Sequence, residues 1–450
     1  MKNLMLLFIA TTISVCDAQT VIFSGKIENP NSDSLTISNG IVGKLPAIHL
    51  KKDGTFRDTL TLEEGEYTLY DGTERTTVYL KPGDDLSLTL NTKEFDETIV
   101  YKGIGANENN YIAQRILWQE KNEGLENPSI FCKLNEADFL KFVDSAATLK
   151  KDFLNRYSLE NRFATAEKRF IEYERLNRIA NYEWMHGYFT KNTDFKVSAN
   201  YPNAFQNLDF NDDRFADDET YLSLLQTYFK EKARAKTKED TTRIFIVEFA
   251  NAIQLGVGNT SVKDGLARFL TETYFGAGDN IDAAYTAISE LIASKKLRAT
   301  LDKKYTSLKK VRKGNASPDF SLKDVKGKTF SLANFRGKVV YIDLWATWCG
   351  PCNRELPHLK KIEEEFRGKN IAFVGICTRD KKESWEKFLK EKKLGGTQLF
   401  APDQDGDFFK DYNVSGIPRF IILDKEGKIV DADAKRPSQP ELKTQLESLL

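Results

Sequence analysis

The chain has 450 residues, which is long for one hydrophobic core, so we expect two or three domains. Its 66 lysines and arginines balance 66 aspartates and glutamates, so bulk charge indicates neither nucleic acid nor an anionic surface as a partner. The apolar and aromatic fractions are those of an ordinary soluble globular protein.

The first 18 residues have the pattern of an export signal. Lys2 precedes an apolar stretch that closes around Val15 and is too short to span a bilayer but suits the core of a signal peptide. Cleavage after Ala18 is favoured by the small-residue requirement. The alternative is a lipid anchor at Cys16, although Val15 is bulky for the position before a lipidated cysteine. Both outcomes predict an exported protein of the periplasm or cell envelope.

Residues 19–104 predict a domain of β-strands. Short, partly alternating apolar runs are separated by turn clusters rich in Gly, Pro, Asn and Asp. The runs cover residues 21–25, 34–37, 55–60, 67–70, 77–80 and 86–90. Roughly seven or eight strands at this spacing predict a small antiparallel β-sandwich.

Residues 105–313 predict a helical domain. Amphipathic stretches cover residues 163–188, 221–234, 242–255, 262–275 and 281–297. Residues 192–219 contain Pro202 and many Asn and Asp residues, which predicts a long loop or paired short elements. No reaction motif is found here, so the helical surface could bind a partner or hold the flanking domains apart.

Residues 314–450 alternate strand and helix, which predicts an α/β fold. The apolar run 339–345 indicates a buried strand, and it is followed by Cys349-Gly350-Pro351-Cys352 at the start of a helical repeat. A thiol in the first turn of a helix faces the positive end of the helix dipole and free backbone N–H groups, which favour the thiolate. The spacing therefore predicts a pair that cycles between dithiol and disulfide.

The residues from Asp343 to Cys352 closely resemble the thioredoxin active site, and residues 412–418 resemble the cis-proline loop of that family. The entry hairpin after Pro318, and Glu355 with Pro357 after the cysteines, are more similar to the exported TlpA/ResA-type branch. The resemblance covers residues 314–450 and implies a thioredoxin-like domain preceded by accessory regions.

This resemblance implies a role for each of four residues. Cys349 would be the exposed attacking thiolate, and Cys352, lying deeper, would resolve the mixed disulfide. Asp343, buried under the pair with a raised pKa, would pass a proton to or from Cys352, although many exported relatives have Asn there. Glu355 matches an acidic residue that tunes the thiols, and the alternative is an ordinary exposed helix glutamate.

The same resemblance implies a substrate-binding surface. Its expected members are Trp348, Gly350, Pro351, Ile417 and Pro418. If the 417–418 bond is cis, the backbone there is exposed and an extended substrate could add to it as a strand. The expected partners are protein disulfides and a membrane thiol electron donor, with no cofactor beyond the redox-active cysteine pair. The Gly350-Pro351 dipeptide is that of the reducing member thioredoxin and favours reduction over oxidation.

Three other functions fit the residues less well than this prediction. A structural zinc site needs four ligands, and no second Cys-x-x-Cys or His pair stands at suitable spacing. A thiol peroxidase would need Thr or Ser where Ala346 stands. A binding or scaffold protein whose upstream domains dominate is disfavoured because both cysteines are present. Cys132 and Cys377 are expected to be structural, with a disulfide between them left open.

Overall fold

The computed structural model describes residues 20–39, 43–278, 280–402, 407–414 and 416–450. The predicted signal peptide, including Cys16, lies outside the described residues. The chain divides into two compact units, the first reaching to residue 208 and including 217–227, the second comprising 209–216 and 228–450. The predicted helical domain is therefore shared between the two units, and its boundaries stay a prediction.

The first unit begins with two sheets. The strands are β1 (Thr20–Glu28), β2 (Ser34–Asn39), β3 (Gly43–Lys44), β4 (Ile48–His49), β5 (Thr55–Thr61), β6 (Gly65–Tyr70), β7 (Arg75–Leu80), β8 (Asp85–Asn91) and β9 (Val100–Gly103). One sheet has the order β5-β1-β8-β9, and the other has β3-β2-β6-β7 with β4 on β2. Alternate residues of both sheets enter one hydrophobic cluster, which includes Phe23, Leu88, Leu69 and Val78.

The expected purely antiparallel arrangement is wrong for one strand pair. β1 and β8 are parallel, from Ile22 opposite Asp85 to Glu28 opposite Asn91. Parallel neighbours need a long connection, and the chain from β2 to β7 supplies it here. The first sheet is therefore mixed, and a specific sandwich stays a prediction.

Helices complete the first unit. They are α1 (Phe95–Thr98), α2 (Ala106–Lys121), α3 (Pro128–Phe131), α4 (Glu136–Leu154) and α5 (Asn161–Thr190). Residues 191–218 are irregular apart from a 3₁₀ turn at Asp213–Phe215, as the sequence predicts. Helix α6 (Glu219–Glu239) follows, and the division between the units falls inside it.

The second unit contains four more helices before its sheet. They are α7 (Phe245–Gly256), α8 (Thr260–Phe269), α9 (Ile281–Leu291) and α10 (Lys295–Lys310), with a π-helical turn at Leu270–Tyr274. The segment after α10 is held to the sheet, because Gly314 N–H donates to Ile429 O at 2.7 Å and Ser317 N–H to Gly427 O at 3.1 Å. No described helix is long and apolar enough to cross a membrane.

The sheet of the second unit has seven strands. They are β10 (Leu322–Asp324), β11 (Thr329–Phe330), β12 (Val339–Trp345), β13 (Ile371–Thr378), β14 (Thr397–Ala401), β15 (Arg419–Leu423) and β16 (Ile429–Asp431), in the order β11-β10-β14-β13-β12-β15-β16. Strands β12, β13 and β14 are parallel neighbours. All seven residues of β12 are buried, as expected of a central strand covered on both faces.

Four helices accompany this sheet: α11 (Gly350–Glu365), α12 (Lys382–Lys392), α13 (Asp407–Asp411) and α14 (Glu441–Glu447). Leu359 and Ile362 of α11 and Leu442 of α14 share a buried cluster with Val339 and Tyr341 of β12. Alternate β12 residues therefore fix α11 against the sheet, and this contact places the start of α11 beside the end of the buried strand.

Candidate active site

The cysteine pair lies between the end of β12 and the first turn of α11. Cys349 is the N-cap of the helix, and its sulfur accepts the Cys352 backbone N–H at 3.1 Å. Pro351 lies in the first helical turn, where its missing N–H costs nothing. Cys349 and Cys352 form a disulfide with a Cα–Cα distance of 5.2 Å. The two sulfurs are therefore within bonding reach without any change in the helix.

The structure corrects the expectation that Cys349 is the exposed member of the pair. Both cysteines are only 3% exposed. They belong to a buried cluster with Trp345 and Trp385, and Ile417 packs against it. Cys349 is covered because its sulfur is bonded to Cys352 and turned towards the helix N-terminus.

Asp343 lies on β12, the strand that leads to the pair. Its side chain is buried, and no described residue lies within hydrogen-bond distance of its Oδ1 atom. Burial first, and then the nearby carboxylates of Glu355 and Glu363, raise the pKa of this carboxyl to about 8. The expected direction of the pKa is thus found, while the proton-transfer role stays a prediction.

Glu355 is buried one helical turn after Cys352, so it is not an ordinary exposed glutamate. Its carboxylate accepts the backbone N–H of Ser438 at 2.9 Å and the Ser438 hydroxyl at 3.0 Å. These bonds tie the first part of α11 to the segment after β16. Glu355 therefore anchors the helix and also adds negative charge near Asp343.

Trp348 does not belong to the buried cluster around the cysteines, and it is 61% exposed. Its indole N–H donates to the Arg379 carbonyl at 2.9 Å, and the preceding Thr347 N–H donates to the Asp380 carboxylate at 2.7 Å. Sequence reasoning missed Arg379 and Asp380. The available signal was their place directly after β13, because the carboxyl ends of neighbouring parallel strands meet at one edge of a sheet.

The predicted cis-proline loop is present. The Ile417–Pro418 peptide bond is cis, as the resemblance implies. Both residues are half-buried, and Ile417 contacts the cluster that holds the cysteines. Arg419 follows on β15 and donates from Nε to the Ala432 carbonyl at 2.9 Å. Gly350 and Pro351 are exposed in the first turn of α11, and the exposed Trp348 directly precedes its N-cap, so three of the expected substrate-binding residues border the helix start.

The two remaining described cysteines, Cys132 and Cys377, are both buried and have free thiols. Burial first, and then the Asp380 carboxylate, raise the pKa of the Cys377 thiol well above its ordinary value. A buried thiol of raised pKa is a poor nucleophile. Within the described ranges, no group of three or more His, Cys, Asp or Glu side chains could hold a metal ion.

Three comparisons bear on the family. The Redoxin family model matches residues 312–448. The thioredoxin-like protein YneN of Bacillus subtilis is 32% identical over 138 residues, which are 30% of this chain and 80% of that protein. The thiol-disulfide oxidoreductase ResA of Geobacillus kaustophilus is 29% identical over 145 residues, covering 32% of this chain and 82% of ResA.

Solved structures match about a third of the chain. The thioredoxin domain of a thiol-disulfide oxidoreductase from Bacteroides vulgatus is 32% identical and covers 30% of this chain and 96% of that domain, with a TM-score of 0.28. A thiol:disulfide interchange protein from Bacteroides sp. is 31% identical over 31% of this chain and 90% of its own, also with a TM-score of 0.28. On the sequence matches, the chain belongs to the thioredoxin superfamily as a TlpA/ResA-like thiol-disulfide oxidoreductase.

Proposed function

We propose that this protein reduces disulfide bonds of other proteins in the cell envelope by cycling Cys349 and Cys352 between dithiol and disulfide. The observation that carries the proposal is the bonded pair at the N-terminus of α11, with the Cys352 N–H directed at the Cys349 sulfur. The same N–H would stabilise a thiolate at Cys349 once the pair is reduced. The cycle as proposed uses no further cofactor.

The first half of the cycle transfers the substrate to Cys349. The Cys349 thiolate attacks one sulfur of the substrate disulfide, so that a Cys349–substrate bond forms and the substrate bond breaks. The second substrate sulfur leaves as a thiolate and takes a proton from solvent. Cys349 is the N-cap of α11, which favours it as the attacking sulfur over Cys352 inside the helix.

The second half releases the substrate. Cys352 gives its thiol proton to the Asp343 carboxylate and attacks the Cys349 sulfur, which closes the Cys349–Cys352 disulfide and expels the first substrate sulfur as a thiolate. Two electrons have then passed from the cysteine pair to the substrate. A carboxyl with a pKa of about 8 is suited to this step, because both of its protonation states are populated near neutral pH.

Substrate binding is proposed at the surface around the pair. The exposed indole of Trp348 offers an apolar platform, and the half-buried Ile417 and Pro418 lie at the edge of the sulfur cluster. An extended segment of a substrate would run beside residue 417 as an added strand. Its disulfide would then be presented to Cys349.

The sequence supports the proposed direction and compartment. The Gly350-Pro351 dipeptide is that of thioredoxin, whose potential is about −270 mV, which favours reduction of substrates. The signal-like residues 1–18 support export, with cleavage after Ala18 or a lipid anchor at Cys16. A membrane thiol donor would return two electrons to the Cys349–Cys352 disulfide after each turnover.

Trapping tests this proposal. A Cys352→Ser variant cannot resolve the mixed disulfide, so it should accumulate covalent complexes with envelope proteins that dithiothreitol releases. The Cys349→Ser/Cys352→Ser double variant is the control and should trap none. A potential near about −270 mV is expected for the wild type, and a value near about −120 mV would reverse the proposed direction.

A second candidate is a partner-binding role for the first unit. Trp184 and Tyr188 lie one helical turn apart on α5 and are 60% and 71% exposed. Exposed aromatic side chains at this spacing are typical of a contact surface. A Cys349→Ser variant that keeps full biological activity would favour this candidate over the reductase.

A further inference from the structure

Asp343 lies in a row with two residues of the neighbouring strands. It pairs with Gly375 on β13, and Gly375 pairs with Gln398 on β14. Side chains at paired positions of parallel strands point to the same face of the sheet. Gly375 has none, and a Cβ atom built there would collide with Gln398 Oε1. The Gln398 amide therefore lies over Gly375, in the space between its own strand and Asp343.

Two oxygen atoms in this row lack a hydrogen-bond donor. Asp343 Oδ1 and Gln398 Oε1 are both buried, and no described residue is within hydrogen-bond distance of either. The Gln398 amide nitrogen donates to the Gly395 carbonyl at 2.8 Å, which fixes the amide with its oxygen on the other side. Leaving a buried polar atom unpaired costs about 1–3 kcal/mol, so a donor is expected at this place.

The donor that fits is water. Asp343 and Gln398 line the same small cavity, which has room for about one water molecule. A water has two O–H groups and can donate to both oxygens at once. A protonated Asp343 could in turn donate its own proton to the same water.

Glu363 also lines the cavity and is the more exposed of its two carboxyl groups. It is half-buried on α11, and a Cβ atom at Gly395 would collide with its Oε2, so the glycine makes room for this carboxylate. Burial raises the pKa of Glu363, while the Lys360 ammonium offsets part of the rise. Lys360 also lines the cavity, but its ammonium donates to the Lys392 carbonyl.

The other groups around Asp343 do not offer its carboxyl a second polar contact like the cavity that Gln398 and Glu363 line. The remaining carboxylate near it is Glu355 on α11, which is held by Ser438. On β15 the residue paired with Asp343 is the apolar Phe420, and on β13 it is Gly375. Tyr341, on the same strand as Asp343, has a raised pKa because of burial and then the negative charge of Asp343.

We propose that Asp343 exchanges its proton with solvent through a water held between Asp343 and Gln398 and through the Glu363 carboxyl. This rests on the proposed role of Asp343 in the cysteine cycle. After Cys352 has given its proton to Asp343, Asp343 passes a proton to the water, the water passes one to Glu363, and Glu363 releases it to solvent. No electrons move in these steps. Gln398 and Glu363 are thus positioning residues that act through Asp343.

Three variants test the route. Gln398→Leu removes the amide at similar volume, Gly375→Ala pushes the amide away without removing it, and Glu363→Gln removes the outer proton carrier. Glu364→Gln, an exposed neighbour on α11, is the matched control. The rate of reduction of the Cys349–Cys352 disulfide by dithiothreitol is followed by tryptophan fluorescence from pH 5 to 10, with melting curves to confirm folding.

The wild-type rate of reduction should depend on pH through the protonation of Asp343. Each of the three variants should shift this pH profile and slow the reaction at pH 7 by about tenfold, which is less than the full effect of a catalytic acid or base. Glu364→Gln should match the wild type, and Glu363→Asp should recover part of the rate. The pKa of the Asp343 carboxyl, followed directly by ¹³C NMR, should differ from the wild-type value in Gln398→Leu and Gly375→Ala.

The two proposals fail in different ways. If dithiothreitol reduces the disulfide of Asp343→Asn as fast as that of the wild type, the proposed proton-transfer role of Asp343 is wrong. If Asp343→Asn is slow but the three variants keep the wild-type rate and pH profile, the role of Asp343 stands and the water route is overturned.

Discussion

A buried carboxyl such as Asp343 carries a cost in stability. Its pKa in the folded protein is about 8, whereas the ordinary value is 3.8. Between these two pH values the folded state keeps a proton that the unfolded state has lost. The free energy of unfolding therefore falls as the pH rises from about 4 to about 8. The protein retains this acid at a position where a neutral side chain would be more stable.

An Asp343→Asn variant should show this directly. We expect it to be more stable than the wild type by a few kcal/mol at pH 8, and equal within about 1 kcal/mol at pH 4, because each pKa unit is worth about 1.4 kcal/mol. Thermal unfolding at pH 4, 6 and 8 measures the difference, with the exposed Glu391→Gln as control. A stability gain that does not grow with pH would contradict the raised pKa.

The elements around the cysteine pair differ in how far the sequence predicts them. β12 and α11 are local features, because a buried apolar run and a helical repeat meet at Cys349 and Cys352. The contacts of Asp380 and Gln398 depend on how β13 and β14 are aligned with their neighbouring strands. No local sequence pattern encodes this alignment. The cysteine pair was therefore predictable, whereas the contacts of Asp380 and Gln398 beside it were not.

The same reasoning applies to the first unit. Alternating apolar residues predicted β1, β2, β5, β6, β7 and β8, because alternation marks the buried face of a strand. Strands β3 and β4 have two residues each, too few for a pattern. Alternation also says nothing about the partner of a strand, so the parallel pairing of β1 with β8 could not be found.

Helices α4 and α5 are joined by a partly buried ion cluster. Lys150 of α4 contacts Glu174 of α5 at 2.6 Å, and Arg178 of α5 contacts the same carboxylate at 2.5 Å. Burial alone would raise the pKa of Glu174, but the charges of Lys150 and Arg178 outweigh it and lower the pKa. This carboxylate therefore stabilises the fold above its unfolded pKa, and the contribution is lost as the pH falls.

Glu174→Gln should destabilise the first unit by on the order of 2–4 kcal/mol at pH 7, because Lys150 and Arg178 lose one of the two carboxylates that they share, Glu126 being the other. The loss should shrink as the pH falls below the ordinary range of a carboxyl group and the wild-type carboxylate itself becomes protonated. Glu172→Gln, on the exposed side of α5, is the matched control and should cost under about 1 kcal/mol. Equal melting temperatures for the two variants at pH 7 would refute a role for the cluster.

The whole molecule consists of two compact units with separate cores. The first core is built from the two N-terminal sheets, and the cysteine pair lies in the second unit. Multidomain proteins do not unfold as a single two-state system, so damage to one core need not reach the other. The oxidoreductase activity should therefore depend on the second core alone.

Matched core substitutions test this independence. Leu88→Ala in the first unit and Ile422→Ala in the second each open a cavity at a fully buried site, and each should cost about 2–5 kcal/mol. At 25 °C, Leu88→Ala should keep disulfide reductase activity within twofold, whereas Ile422→Ala should lose activity at a lower temperature than the wild type. Loss of activity in folded Leu88→Ala would show that the first unit takes part in the reaction.

The near-complete covering of Cys349 and Cys352 has a consequence for selectivity. We expect a flexible, extended segment of polypeptide to reach this covered disulfide more readily than a rigid globular surface does, so donors that present a cysteine on such a segment should be favoured.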